Sequence, residues 1–292
     1  MEVIAWNGDY GLVSICPDCI RLITYLKFAK VPAEIHYKRN PYWFSESRFP
    51  IFRTGRYALT QYSSIVEQLR FMRYSLDFGL SCKNCSETLA LMCQCTKMLE
   101  PLLEYTLWLD RSNFEQLTRP WYTKVMPFLL NVLYIKRRQS KARDLLEVHF
   151  PNTEDLTTLQ GYVRNMAVDA FSMLSTRLGK NDYFYGSSPS SLDCMVYAYL
   201  APLAKIPFPS KEIQDLLKTY PTLLKYVSRI DEAYFSGLRD DHVYLKIEAK
   251  DKQQDESSSA PMKTKLLALT FVALALLGYA VSNNLVSIPK IV

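Results

Sequence analysis

VIAWNGDYGLVSICPDCIRLITYLKFAKVPAEIHYK, running from Val3 to Lys38, is the stretch on which the fold turns. Val3 to Trp6 is a short apolar run of β type. A loop follows and ends in Cys16-Pro17-Asp18-Cys19. Ile20, Leu22, Ile23, Leu26 and Phe28 then recur with helical spacing until Pro32 breaks the pattern. Ala33 to Lys38 alternates as a strand does, so the stretch predicts a βαβ unit.

Working outward, Phe49-Pro50-Ile51-Phe52 and Tyr57-Ala58-Leu59 predict a hairpin. Ser63 to Tyr74 predicts a helix capped by Ser63 or Ser64, with Ile65, Val66, Leu69 and Phe71 on one stripe. The resulting order β-α-β-β-β-α is that of a thioredoxin fold, assigned to residues 1–75. By resemblance to that fold, Pro50 stands where it carries a cis-proline.

From Cys85 to Phe235 only helical patterns appear, and residues 84–236 are assigned to an all-helical domain. Apolar-rich segments run through Thr88 to Leu109, Phe114 to Ile135, Leu156 to Leu178, Leu192 to Lys205 and Leu223 to Phe235. Breaks are expected at Asp110 to Asn113, Gly179 to Ser190 and Pro207 to Ser210. Ser190-Ser191-Leu192-Asp193 is an S-x-x-D box: Ser190 caps the following helix and Asp193 reaches back. Placed before CMVYAYLA, it matches the N-cap box of glutathione-transferase C-terminal domains. The fold class is therefore α+β and glutathione-transferase-like, a thioredoxin-like domain followed by helices.

Composition agrees with a folded body. Of 292 residues, 49% are apolar and 22% charged, enough to bury a core and too ordered a balance for global disorder. The net charge of +6 suits an anionic membrane surface or acidic partners and is too diffuse to argue nucleic-acid binding. The chain has seven cysteines and no basic-plus-apolar N-terminal signal, which points to free thiols in a reducing compartment.

The C-terminal segment predicts an address. Glu248 to Ser259, EAKDKQQDESSS, cannot pack a core, and residues 237–262 read as a polar linker. Leu266 to Val281, LLALTFVALALLGYAV, is apolar on every side of a helix, with Lys263 and Lys265 before it and Lys290 beyond. At ~1.5 Å per residue that run covers about 24 Å, and including Ser282 to Ile288 brings it toward a ~30 Å hydrocarbon core. Residues 263–288 are accordingly expected to form a single transmembrane tail anchor. The body then stays in the cytosol, with the flanking lysines on the side that the positive-inside bias prefers.

Three passages carry a closer resemblance: WLDRSNFEQLTRPWYTKVMPFLLN (Trp108 to Asn131), YFYGSSPSSLDCMVYAYLAPL (Tyr183 to Leu203) and the opening VIAWNGDYGL (Val3 to Leu12). With the C-terminal anchor, they resemble the metaxin family over nearly the whole chain. The resemblance implies a mitochondrial outer-membrane protein that works with the machinery sorting and assembling β-barrel proteins. It also implies pairing with a second metaxin-like subunit and, in some settings, a link to mitochondrial transport. No catalytic residue, cofactor or metal is expected.

An enzymatic alternative rests on two places. Glutathione transferases hold the γ-glutamyl end of glutathione with an acid–serine pair, typically in T-E-S-x-A-I. The matching stretch here is Thr60-Gln61-Tyr62-Ser63-Ser64-Ile65, so an amide replaces the acid and a bulky phenol the serine. That exchange removes a charge-assisted bond of roughly 1.5–3 kcal/mol and crowds the site, which argues against glutathione binding. Cys16 and Cys19 pull the other way. At a helix N-terminus in a thioredoxin-like fold the dipole favours a thiolate at Cys16, and Cys19 lies one turn on, able to resolve a mixed disulfide. Read as packing, Cys19 is simply a small buried residue.

The remaining candidates point to structure. Cys82, Cys85, Cys93 and Cys95 have the spacing C-x2-C-x7-C-x-C. Cys93 and Cys95 fall about 200° apart on a helix and cannot share a zinc ion, while Cys82 and Cys85 are expected to precede that helix. His36, His149 and His242 show no ligand spacing. Lys136-Arg137-Arg138 with Lys141 and Arg143 reads as a cationic block after a helix, either a solvated face or a surface against anionic lipid. Trp43-Phe44 beside Tyr42 reads either as a binding anchor or as packing under a loop.

Overall fold

A computed structural model describes residues 1–237 apart from 45, 47, 56, 128 and 152–155. The linker after residue 237, His242 and the expected span Leu266 to Val281 lie outside the described residues. Among the described residues, no helix is long and apolar enough to cross a membrane.

The expected βαβ start is present. β1 (Glu2–Trp6) lies between β2 (Glu34–Lys38), which it pairs in parallel, and β3 (Ile51–Thr54), which runs antiparallel. β4 (Tyr57–Leu59) closes the hairpin, giving the order β2-β1-β3-β4. α1 (Pro17–Phe28) crosses from β1 to β2. It buries Cys19, Ile20, Leu22, Ile23, Tyr25 and Leu26, on more than one face, because it is packed on α8 (Ser191–Lys205) as well as belonging to the sheet layer. The Phe49–Pro50 bond is cis.

α2 (Tyr62–Phe71) departs from expectation in two ways. Its N-cap is Gln61, with no side-chain capping bond, so Ser63 and Ser64 are inside the helix. Ile65, Val66 and Leu69 are buried, whereas Phe71 is 79% exposed. Two positions past Leu69 is about 200° around the helix, which turns Phe71 to the opposite face.

The connection to the helical half is pinned. The Asp77 carboxylate accepts from Ser191 N–H at 2.9 Å and Ser191 Oγ–H at 2.7 Å, and pairs with Arg70 at 3.1 Å. Tyr25 donates its hydroxyl to Tyr74 O at 3.0 Å. α3 (Cys82–Glu104) begins earlier than its apolar pattern, because Ser81 caps it by accepting from Asn84 N–H at 3.2 Å. Cys82 and Cys85 therefore lie in α3, not before it. Cys93 is exposed and Cys95 buried, as their angular separation requires.

Beyond α3 a wide turn, Tyr105–Leu109, leads into α4 (Arg111–Asn113), and a second, Phe114–Thr118, into α5 (Arg119–Val125). Asp110 stops the first by accepting from Asn113 N–H at 2.9 Å. The single helix expected over Phe114 to Ile135 is thus divided. Pro127, and Leu129 at φ 73°, separate α5 from α6 (Leu130–His149). α6 carries the cationic block within the helix and not after it. α7 (Leu156–Leu178), α8, the short α9 (Glu212–Lys218) and α10 (Pro221–Tyr234) complete the helices, α9 having no counterpart in the sequence reading. The described residues fall in one compact unit.

The S-x-x-D box closes as expected. Asp193 Oδ2 accepts from Ser190 N–H at 2.8 Å and Ser190 Oγ–H at 2.7 Å. Its Oδ1 accepts from Phe184 N–H at 3.1 Å and from the Tyr226 hydroxyl at 3.2 Å. One fully buried carboxylate thereby ties the 179–190 turn, α8 and α10 together.

Candidate functional site

The C-terminal end of β1 and the start of α1 face α3 and α6 across a cleft of about 600 Å³. Cys16, Pro17 and Asp18 form one wall, Glu100, Glu104 and Trp108 a second, and Tyr134, Arg138 and Lys141 a third. Its floor is aromatic. Trp6 meets Phe49 at 5.3 Å, Tyr134 at 5.5 Å, Tyr122 at 5.7 Å and Trp121 at 6.4 Å, mostly edge to face. Trp121 Nε1–H donates to Asp9 Oδ2 at 2.8 Å, and Lys205 Nζ donates to Gly11 O at 2.5 Å. The loop after β1 is thus tied to α5 and α8. Gly8 makes that path possible, since a Cβ there would come within 2.0 Å of Leu12 O.

Arg138 is the cation that the block reading misplaced. It pairs with Glu104 at 2.7 Å, with side chains 24% and 13% exposed, and lies 5.2 Å from the Trp108 ring centre. Burial opposes its charge, but Glu104 and the neighbouring Tyr134 and Tyr122 outweigh that and hold it protonated. Burial and the nearby Glu104 carboxylate push Glu100 above the ordinary carboxylate range. Arg137 and Lys141 reach the cleft rim.

Beside this cleft lies a second one of about 410 Å³, lined by Asp18, Arg21, Arg48, Pro50, Gln61 and Tyr62 among others. Here the glutathione reading can be tested against side chains. The Arg21 guanidinium stacks 3.7 Å from the Tyr62 ring centre, and Arg48 donates to Thr60 Oγ1 at 3.0 Å. Burial raises the Tyr62 phenol well above its ordinary value, so it stays neutral. Tyr62 stands where a glutathione site carries a small hydroxyl, and Gln61 where it carries an acid, so these residues do not fit the γ-glutamyl end.

Cys16 and Cys19 are brought together. Cys16 is the N-cap of α1 and half-buried at the cleft, while Cys19 is fully buried one turn on. Burial, and then the neighbouring Cys16 thiol, push the Cys19 thiol well above its ordinary range. The other candidates are scattered. His36 lies 3.7 Å from Glu34 on β2, and His149 Nδ1 is 2.9 Å from Leu145 O at the end of α6. Phe44 packs on Phe49 at 5.7 Å, which favours packing for that loop residue. Cys194, overlooked among the thiols, is buried in α8.

Comparison with known proteins now bears on this geometry. The family model described as "Outer mitochondrial membrane transport complex protein" matches residues 19–139, and that of the "Glutathione S-transferase, C-terminal domain" matches residues 167–230. Metaxin-1 of Mus musculus is 32% identical over 297 residues, covering 99% of this chain and 92% of its own. Metaxin-3 of Danio rerio is 31% identical over 238 residues, covering 81% and 76%. Among solved structures, a β-etherase from Sphingobium superposes with a TM-score of 0.54 at 13% identity, covering 81% of this chain and 97% of that one. A glutathione transferase family member from Pseudomonas fluorescens, with two glutathiones bound, gives 0.50 at 14% identity, covering 81% and 91%. At such identities the likeness establishes the glutathione-transferase-like fold alone. The near full-length identity to Metaxin-1 goes further: this chain belongs to the metaxin family.

Proposed function

We propose that this chain is a non-catalytic subunit of an outer mitochondrial membrane transport complex that sorts and assembles β-barrel proteins. The reading is carried by the similarity to Metaxin-1, which extends over 99% of the chain and so includes the C-terminal segment. The family model for an outer mitochondrial membrane transport complex protein supports the same address. Leu266 to Val281 anchors the chain in the membrane by a single pass, and the folded body faces the cytosol. The body assembles with a second metaxin-like subunit and with the β-barrel assembly machinery. The side chains support a scaffold: Tyr62, stacked with Arg21, replaces the small hydroxyl of a glutathione site, and aromatic rings fill the cleft floor.

Depleting the chain tests this. Steady-state levels of outer-membrane β-barrel proteins are expected to fall while presequence-driven import to the matrix continues. A fusion of the span alone to an unrelated soluble protein is expected to reach the membrane and leave the barrels low. Normal barrel levels without the chain, or restoration by that fusion, would replace this role with one in tethering or mitochondrial transport.

A further inference from the structure

A scaffold has no use for paired thiols, yet α1 opens with them. Cys16 N–H donates to Ser14 Oγ at 3.2 Å, which fixes the residue as the cap, with its side chain at the mouth of the 600 Å³ cleft. Cys19 sits one turn further on along α1, at 0% exposure, behind Cys16. One thiol is therefore approachable from a ligand-sized cavity, and the second waits behind it, inaccessible to any reagent of that size. Exposed Cys82 and Cys93, by contrast, stand on α3 outside both clefts, although Cys85 lies one turn beyond Cys82.

We propose that Cys16 is a reversible thiolation site for a low-molecular-weight disulfide, and that Cys19 is the internal thiol that releases it. The disulfide R–S–S–R enters the cleft. Cys16, having given its proton to solvent, attacks one sulfur, so the S–S bond breaks and a Cys16–S–S–R bond forms. The departing R–S⁻ takes up a proton. Cys19 then loses its proton and attacks Cys16 Sγ, which expels the second R–S⁻ and closes a Cys16–Cys19 disulfide. In total the two cysteines are oxidised, R–S–S–R is reduced to two R–SH, and no other reagent enters. Burial raises the Cys19 thiol, so its thiolate forms reluctantly and the mixed disulfide persists before closure. While it persists, R occupies the cleft between α1 and the Glu104–Arg138 pair.

The full chain in mild detergent, exposed to oxidised glutathione, provides the test. The peptide of residues 1–21, which holds both thiols, is followed by mass spectrometry, with circular dichroism to verify folding. Wild type is expected to gain one glutathione on this peptide and then lose it, ending two hydrogens lighter with two glutathiones released per chain. Dithiothreitol restores the start. Cys19→Ala is expected to stop at a stable adduct on Cys16, and Cys16→Ala to leave the peptide unmodified. If Cys19→Ala fails to fold, Cys19→Ser serves the same purpose. The proposal is overturned if Cys82 and Cys93 become fully glutathionylated while the 1–21 peptide stays untouched. It is equally overturned if wild type forms the adduct but never the internal disulfide.

Discussion

Replacing Asp193 tests how the helical half is held. The carboxylate is at 0% exposure and accepts from four groups at 2.7–3.2 Å: Ser190 N–H, Ser190 Oγ–H, Phe184 N–H and the Tyr226 hydroxyl. In Asp193→Ala, Phe184 N–H and Ser190 N–H lose the carboxylate oxygens that accept from them, while the Tyr226 hydroxyl keeps Asp193 O at 3.1 Å. A buried donor without a partner costs ~1–3 kcal/mol, and loss of a helix cap about 1 kcal/mol more. Since these contributions overlap, a loss of about 3–5 kcal/mol is expected. For a body of this size that lowers Tm by roughly 6–20 °C. Asp193→Asn keeps one carbonyl acceptor and buries no charge, so it is expected to cost less than the alanine variant. Burial raises the Asp193 carboxyl above its ordinary 3.8 although its hydrogen bonds pull the other way. Its contribution is therefore full below 3.8 and is lost as pH rises through the folded value. The stability gap between wild type and Asp193→Asn should accordingly narrow from acid toward neutrality. Urea unfolding of residues 1–243 across that window measures both effects. An alanine variant within about 1 kcal/mol of wild type, or an asparagine variant equally damaging, would refute the reasoning.

Glu104→Ala strands Arg138 in the cleft wall and is expected to cost about 2–4 kcal/mol in thermal unfolding, whereas Glu104→Leu with Arg138→Met is expected to cost less than the single change. Deleting residues 262–292 is expected to release a soluble, folded body from mitochondria. Leu274→Arg with Leu276→Arg is expected to do the same at ~2.5–3.5 kcal/mol per charge, and quantitative pelleting through salt washes would contradict a single anchor. Under reducing conditions the body is expected to show no retention on immobilised glutathione and no conjugating activity, because Tyr62 and Gln61 replace the γ-glutamyl partners; specific elution by free glutathione would contradict this.

What the sequence disclosed was local. The β1-α1-β2 start and the Ser190–Asp193 box depend on residues a few positions apart, whose pattern and chemistry are visible in a single strand of text. Element boundaries failed where the deciding residue was polar or singular. Ser81 caps α3 about two turns before Leu89, its first aliphatic residue, and Leu129 at positive φ splits an otherwise continuous pattern. α6 shows no apolar stripe beyond Ile135, because its buried positions, Asn131, Ile135, Ala142 and Leu146, are too few and too mixed. The cleft was hidden for another reason. Trp6, Tyr122, Tyr134 and Arg138 meet across more than a hundred positions, and nothing in the block Lys136-Arg137-Arg138 marks its last member as the one that turns inward. The substitution of Gln61 and Tyr62, by contrast, was visible at once, since it changes residue type at a known place.

The packing of α1 on α8 sets an order of events during synthesis. Residues 1–75 contain every strand of the sheet, but part of the cover for α1 is encoded at residues 191–205. At ~5–20 residues per second, the ribosome needs about 6–26 s to go from residue 75 to residue 205. Through that interval the nascent N-terminal half displays an apolar helix face that only the later helix will cover, and Asp77 has no Ser191 to bind. The thioredoxin-like half is therefore not expected to stand alone: expressed as residues 1–75 it should aggregate, and adding residues 191–205 on a separate peptide should not rescue it without the helices that hold α8 in place.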